Sequence, residues 1–141
     1  LDYQMLMALI YAAGRGVEVV IIMPHIPDKK YAFMLAKTCY NQLLEAGVRI
    51  CEYEPGFVHA KVFVSDDVKA VVGTVNLDYR SLYHHFECGL ILYKNSQIAL
   101  MEEDIKDTLK KCIEMTVEDY RKLKLTDRAL GRIMRFLAPL M

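Results

Sequence analysis

No apolar run in this chain is long enough to cross a bilayer. The stretch Val19 to Met23 falls far short of the roughly 20 residues a spanning helix needs, and no secretory signal pattern is visible. Nor does either sign of charge dominate. Lys plus Arg and Asp plus Glu number 18 each, so the chain as a whole offers no field that would collect nucleic acid or an anionic surface, and any such preference has to be local. Cysteine is sparse and wrongly spaced for zinc. Cys39, Cys51, Cys88 and Cys112 form no C-x-x-C pair and three fall within apolar patterns, so buried free thiols in a reducing compartment are expected. Internal repeats, low-complexity tracts and linkers are missing as well, which leaves one domain over residues 1–141.

What is present is enough apolar material for a core: 54% of residues are hydrophobic. Tyr3 to Ala13 reads as an apolar helix stopped by Gly14-Arg15-Gly16. Val17 to Met23 is β-branched and short, the pattern of a buried strand. From Lys29 to Ala46, apolar Ala32, Leu35, Ala36, Cys39, Leu43 and Ala46 recur in steps of three and four, as on an amphipathic helix ended by Gly47. Val48 to Tyr53 makes a second strand, and strand-helix-strand in this order predicts a parallel βαβ unit. His59 to Ser65 and Lys69 to Thr74 flank the tight turn Asp66-Asp67-Val68 and predict a hairpin. Phe86 to Tyr93 is the last expected strand, and Asn95 to Met115 an expected helix with Ile98, Met101, Ile105, Leu109 and Cys112 inward. Thr116 with Asp119 resembles a capping box. The sum is an α/β fold, a mixed sheet flanked by helices.

Chemistry concentrates in one stretch, His59-Ala60-Lys61-Val62-Phe63-Val64-Ser65-Asp66, followed by Gly73-Thr74-Val75-Asn76. Residues two apart on a strand share a side, so His59 and Lys61 are expected to present an imidazole and an ammonium together. Neutral imidazole is a nucleophile or proton carrier near pH 7, and the ammonium can hold a phosphate oxygen. Asn76 adds an amide donor. The Thr74 hydroxyl and the backbone at Gly73, open to close ligand approach, complete an expected cradle for a charged oxygen. The pattern reads as a phosphodiester-handling site.

The spacing H-x-K-x4-D-x6-G-[S/T]-x-N resembles the signature of the phospholipase D superfamily. Tyr53-Glu54-Pro55-Gly56-Phe57 before it, Asn76-Leu77-Asp78-Tyr79-Arg80-Ser81 after it, Phe86-Glu87, and the closing Leu137-Ala138-Pro139-Leu140-Met141 look like bacterial cardiolipin synthase. Relatives of that kind carry two copies of the signature and membrane-spanning segments near their start, so the chain is similar to their second half. It begins inside an expected helix without an initiating Met, as an excised fragment would. The resemblance implies an α/β/α sandwich and a parent enzyme at the bacterial cell membrane. It implies conversion of two phosphatidylglycerols into cardiolipin and glycerol through a phosphohistidine, with no metal or other cofactor. His59 would attack phosphorus or protonate the leaving alkoxide, while Lys61 and Asn76 hold the non-bridging oxygens. Implied partners are the phospholipid substrate, the half bearing the other signature, the membrane surface and a second copy of this fragment, but not nucleic acid. Two alternatives stand beside this reading: hydrolysis of phospholipid headgroups or nucleic acid, and a noncatalytic half that supports a partner lobe.

Around the signature, Asp66 sits where a turn favours Asp on backbone grounds alone, and is read as structural. Thr74 stands where many relatives have Ser, and keeps the hydroxyl on a stiffer side chain. Glu87 is a charge on an otherwise apolar expected strand, costly unless paired, and the resemblance gives it a role supporting the catalytic histidine. His85 departs from the Asn common in cardiolipin synthases. Adjacent His84 and His85 point apart on an extended segment and have no carboxylate cluster beside them, which speaks against a metal site. His25, in the loop bracketed by Pro24 and Pro27, reads as a surface or pocket-rim residue. From Thr126 to Leu137, Arg128, Arg132 and Arg135 share one helical stripe opposite Leu130, Ile133, Met134 and Leu137. The apolar stripe is expected to dock on the domain, with contact to anionic lipid as the alternative.

Overall fold

The computed structural model describes residues 1–123 and 125–138. Helix α1 (Tyr3–Gly14) is capped by Asp2, whose carboxylate accepts from the Met5 amide at 2.8 Å. Strand β1 (Val20–Pro24) runs parallel to β2 (Arg49–Tyr53), in register from Val20 opposite Arg49 to Pro24 opposite Tyr53, as the strand-helix-strand pattern predicts. The intervening segment is two helices rather than one, α2 (Lys30–Lys37) and α3 (Tyr40–Glu45). The Thr38 hydroxyl donates to the Leu35 carbonyl at 2.6 Å, and the Thr38 and Cys39 amides reach back only three residues. This tightens the turn and breaks the ladder, which apolar spacing does not reveal.

Strands β3 (Val62–Ser65) and β4 (Lys69–Gly73) form the expected hairpin, and β5 (Gly89–Tyr93) pairs antiparallel with β4. Asp66 and Asp67 both adopt positive φ, 53° and 54°, the left-handed pair of a tight hairpin turn. Strand β3 starts at Val62, so His59 and Lys61 lie on its lead-in. Strand β5 starts at Gly89, so Glu87 precedes it rather than standing on it. The expected helix over Asn95 to Met115 stops early: α4 (Gln97–Leu109) gives way to β6 (Cys112–Glu114), antiparallel to β2. Cys112 fits the next slot of the helical period, which is why periodicity overruns the true end. Across the β2–β6 pair the Arg49 guanidinium grips Glu114 with two 2.9 Å bonds. Helix α5 (Val117–Lys122) carries the Thr116–Asp119 capping box, and α6 (Leu125–Leu137) closes the chain.

The strands therefore form two three-stranded ladders, β1-β2-β6 and β3-β4-β5. Leu6 of α1, Tyr40 and Leu43 of α3, Ile50 of β2 and Tyr120 of α5 make one buried cluster, so those helices cover one face of the first ladder. Cys51 alternates to the other face, where α4 lies against β2 and β3; the layers are helix, sheet, helix. Cys39 and Cys51 are buried free thiols and Cys112 is half-buried, but Cys88 is exposed, against expectation.

Helix α6 docks differently from its sequence pattern. Gly131 is buried against α2, where an added Cβ would stand 2.8 Å from Thr38 Cγ2 and 3.2 Å from the Met34 carbonyl oxygen. Ala138 is also buried, whereas Leu130, Ile133 and Phe136 face outward. Gly131 lets the helices approach closely at that contact, while Leu130 and Ile133 of the expected apolar stripe stay exposed. The side chains of Arg128, Arg132 and Leu137, and the closing Pro139 to Met141, lie outside the described residues.

The sharpest backbone constraint is at Gly73. A Cβ there would meet the Cys88 carbonyl oxygen at 2.3 Å and Gly89 Cα at 2.7 Å, whereas one on Gly89 would touch nothing closer than 3.6 Å. Gly73→Ala is expected to destabilise the domain by about 1–3 kcal/mol and Gly89→Ala by less than about 1 kcal/mol. Urea denaturation of the two variants checks the difference; equal midpoints would refute it.

Candidate active site

Beyond β2 the chain turns through Pro55-Gly56 and delivers Phe57 and His59 in an extended run. Their rings stack with centroids 5.4 Å apart, as residues two apart on one side should. Lys61 Nζ folds back to donate to the His59 carbonyl at 2.6 Å, which holds the ammonium beside the histidine it follows. One residue before β3, the Lys61 carbonyl accepts from the Gly73 amide at 3.1 Å. That single bond brings the two parts of the signature to one edge of the β3-β4-β5 ladder.

Thr74, immediately after β4, is held on three sides. Its amide donates to the Cys88 carbonyl at 2.9 Å, its hydroxyl accepts from the Cys88 amide at 3.0 Å, and the same hydroxyl donates to the Glu87 carboxylate. The Thr74 hydroxyl, foremost, and that of Ser81 hold the Glu87 carboxyl below its ordinary range, and the nearby Lys61 ammonium acts in the same direction. An acceptor-only carboxylate thus faces the signature lysine. Glu87 is paired through the Thr74 hydroxyl rather than standing on a strand.

The space expected for a ligand at Gly73 is taken up by the backbone of Cys88 and Gly89, so this glycine serves strand approach. Asn76 is exposed two residues past Thr74. Asp66 lies at the other end of the hairpin, on the order of 16 Å along the strand from Lys61, where its carboxylate accepts from Ser65 Oγ at 3.0 Å. The structure does not bring it to the other signature residues.

Sequence reasoning missed the support behind Glu87. Arg80–His84 forms a single π-helical turn, a form enriched at functional sites, with Ser81 buried in it. Asp78 caps the turn, accepting from the Ser81 amide at 2.8 Å. Tyr83 donates to the buried Asp2 carboxylate, anchoring the turn to the start of α1. Arg80 Nε donates to His85 Nε2 at 2.7 Å. Because a guanidinium only donates, Nε2 is the acceptor and the His85 proton sits on Nδ1. The run Asn76 to Ser81 carried a signal in its resemblance, but the π turn has no periodicity to betray it. Among the described residues, no three His, Cys, Asp or Glu side chains gather as metal ligands would.

Residues 1–109 match the family model "Cardiolipin synthase, PLD-like domain". The chain belongs to this family. "Cardiolipin synthase 2" of Bacillus anthracis is 39% identical over 140 residues, 99% of this chain but 27% of that protein. "Cardiolipin synthase" of Clostridium perfringens is 40% identical, again over 99% of this chain and 29% of its own length. An uncharacterized protein of Streptococcus mutans is 52% identical over the whole chain and 31% of itself. The chain therefore spans about a third of the length of these relatives. The crystal structure of Nuc from Salmonella typhimurium, a phospholipase D family member, superposes with a TM-score of 0.70 at 18% identity, covering 82% of this chain and 75% of that one. This likeness establishes the fold, and the α/β/α reading agrees with it.

The Thr74–Glu87 link has a measurable sign. With its folded pKa lowered, Glu87 contributes stability above its ordinary value of about 4.3 and loses that contribution as pH falls through the folded value. Thr74→Val should move the Glu87 carboxyl titration upward, read by carbon NMR of the side chain. An unchanged midpoint would break the link between the two groups.

Proposed function

We propose that this domain is one lobe of a phosphatidyltransferase that joins two phosphatidylglycerols into cardiolipin with release of glycerol. The observation that carries the reading is the convergence of His59, Lys61 and the Thr74–Glu87 pair at one ladder edge, in a chain of this family. In the first step His59 forms a P–N bond as the P–O bond to the first glycerol breaks, and that alkoxide leaves with a proton from an acid on the facing lobe. In the second, a hydroxyl oxygen of another phosphatidylglycerol forms the new P–O bond while the P–N bond breaks, and its proton returns to the same acid. Lys61 and Asn76 are assigned to the non-bridging oxygens, whose charge grows at each transition state. Glu87 serves as a supporting carboxylate, and Asp66 serves the turn.

A single signature supplies a single such histidine, so the second group has to come from a partner lobe. The uncovered state of β5 supports this. Leu90 and Ile91 point to opposite faces of the strand, yet they are 61% and 74% exposed, with Phe86 and Tyr93 also in the open. A strand bare on both faces and along one edge is one from which a packing layer is missing. The half bearing the other signature fits it by family logic, and a second copy of this chain is the rival occupant. No described helix is long and apolar enough to cross a membrane. The outward Leu130, Ile133 and Phe136 of α6 support contact with a lipid surface in the parent enzyme.

In the complete parent chain, His59→Ala should lower turnover at least about a hundredfold, and Lys61→Met by a similar factor, on the order of 3 kcal/mol of transition-state stabilisation. More than a tenth of wild-type cardiolipin formation by His59→Ala would remove that residue from the mechanism. EDTA should leave the rate unchanged; loss with recovery on adding magnesium or zinc would overturn the metal-free route.

The 141-residue chain alone should fold yet form negligible cardiolipin, with some activity returning when the other half is added. Robust synthesis at concentrations where light scattering shows only monomer would refute the two-lobe mechanism.

A further inference from the structure

Glu52 is a buried charged group that the chemistry above leaves unused. It sits on β2 with 1% of its surface exposed, and an unpaired carboxylate at such depth is costly. Three elements answer it. Tyr40 of α3 donates its hydroxyl to Oε1 at 3.0 Å, and Lys37 at the end of α2 reaches the same oxygen at 3.3 Å. His25, one residue past β1, bonds Oε2 through Nδ1 at 2.8 Å. Burial, then the adjacent carboxylate, holds the Tyr40 hydroxyl well above its ordinary value, so it stays a donor.

The first two partners complete a structural pair: Lys37 balances the charge and lies over the Phe33 ring at 4.3 Å from its centroid, and Tyr40 is in the core. His25 differs, because its side chain is 45% exposed. A carboxylate only accepts, so Nδ1 carries a proton. In the neutral tautomer that this bond selects, Nε2 is a hydrogen-bond acceptor that no described residue engages. A buried carboxylate that fixes an imidazole tautomer and leaves the other nitrogen open is the arrangement that aims histidine at a substrate hydroxyl.

Position supports such a use. The His25 amide donates to the Tyr53 carbonyl at 3.0 Å, which continues the parallel β1–β2 pair by one residue at its carboxyl end. Ligands of α/β sheets bind outside that end. From Tyr53 the chain runs directly to His59, six residues on, a span of at most about 20 Å. His59 is thus tethered within that distance of the carboxyl end at which His25 sits.

We propose that His25, oriented by Glu52, accepts a hydrogen bond from a hydroxyl of the glycerol headgroup of the acceptor phospholipid. The proposal rests on the phosphatidyl-transfer reading and names its acceptor contact.

The test compares His25→Leu and His25→Gln with wild type in the complete parent enzyme, measuring cardiolipin and phosphatidic acid from phosphatidylglycerol. His25→Leu should raise the apparent KM for phosphatidylglycerol as acceptor about tenfold, the effect of one lost hydrogen bond in a binding site. The accompanying fall in hydrolysis should be smaller, so that the product ratio shifts toward phosphatidic acid. His25→Gln, which keeps an acceptor atom, should recover part of the loss. Equal effects on transfer and hydrolysis, or none, would overturn the proposal. Should the wild-type parent form phosphatidic acid alone, the transfer reading fails, and nitrogen NMR of His25 in the 141-residue chain then decides the contact with glycerol as probe. A shift at Nε2 on titration supports hydroxyl binding, and an unmoved resonance refutes it.

Discussion

The approach of Gly73 to the backbone of Cys88 and Gly89 is the constraint on which the site depends. Without a Cβ at that position, the end of β4 lies directly against the start of β5, and the Thr74 amide and hydroxyl both engage the backbone of Cys88. That engagement places Glu87 within reach of the Thr74 hydroxyl and within the field of Lys61. On the other side of β4, the Gly73 amide holds the Lys61 carbonyl and so the lead-in that carries His59. One glycine thereby sets the spacing of three chain segments: Thr74 bonds Glu87 directly, and the Lys61 lead-in is held alongside through the backbone.

A chain with no net charge still builds two charged clusters, and they differ in how water is handled. Glu87 is accessible and tuned by hydroxyl donors; Glu52 is buried, balanced by a lysine and hydrogen-bonded by a tyrosine and a histidine. The first arrangement leaves a carboxylate available to a reaction at the surface, the second uses it to fix other groups. Exposed apolar side chains along β5 and α6 show that the described surface is not adapted throughout to water. For a chain that spans about a third of its relatives, surfaces of that kind are what the remainder of a longer protein would cover.

Much of this is legible in the sequence. The parallel β1–β2 unit followed from β-branched runs around a helical period, the β3–β4 hairpin from a turn of two aspartates, and the α5 cap from Thr116 and Asp119. Each is a local property, decided by side-chain sterics and hydrogen bonds within a few residues. The departures arose where a distant segment intervened, or, at the α2–α3 break, where a local side-chain bond did. Helix α4 stopped short because β2 recruited Cys112–Glu114 as a strand, and the α2–α3 break came from a Thr38 hydroxyl turned onto the backbone. Helix α6 docked through Gly131 because close approach to α2 outweighed burial of Leu130 and Ile133.

By itself the sequence determined the fold class and the identity of the chemically able residues, His59, Lys61, Thr74, Asn76 and Glu87, because residue type and spacing carry that information along the chain. Only the tertiary structure decided which of them meet. It moved His59 and Lys61 off the strand, separated Asp66 from the site, gave Gly73 to strand packing, and joined Glu87 to Thr74 and Ser81. It also turned His25, which the sequence presents as a loop residue, into the partner of a buried carboxylate. The reason is physical: a hydrogen bond between residues 13 or 27 apart in sequence depends on strand register and backbone approach, and no local pattern encodes either.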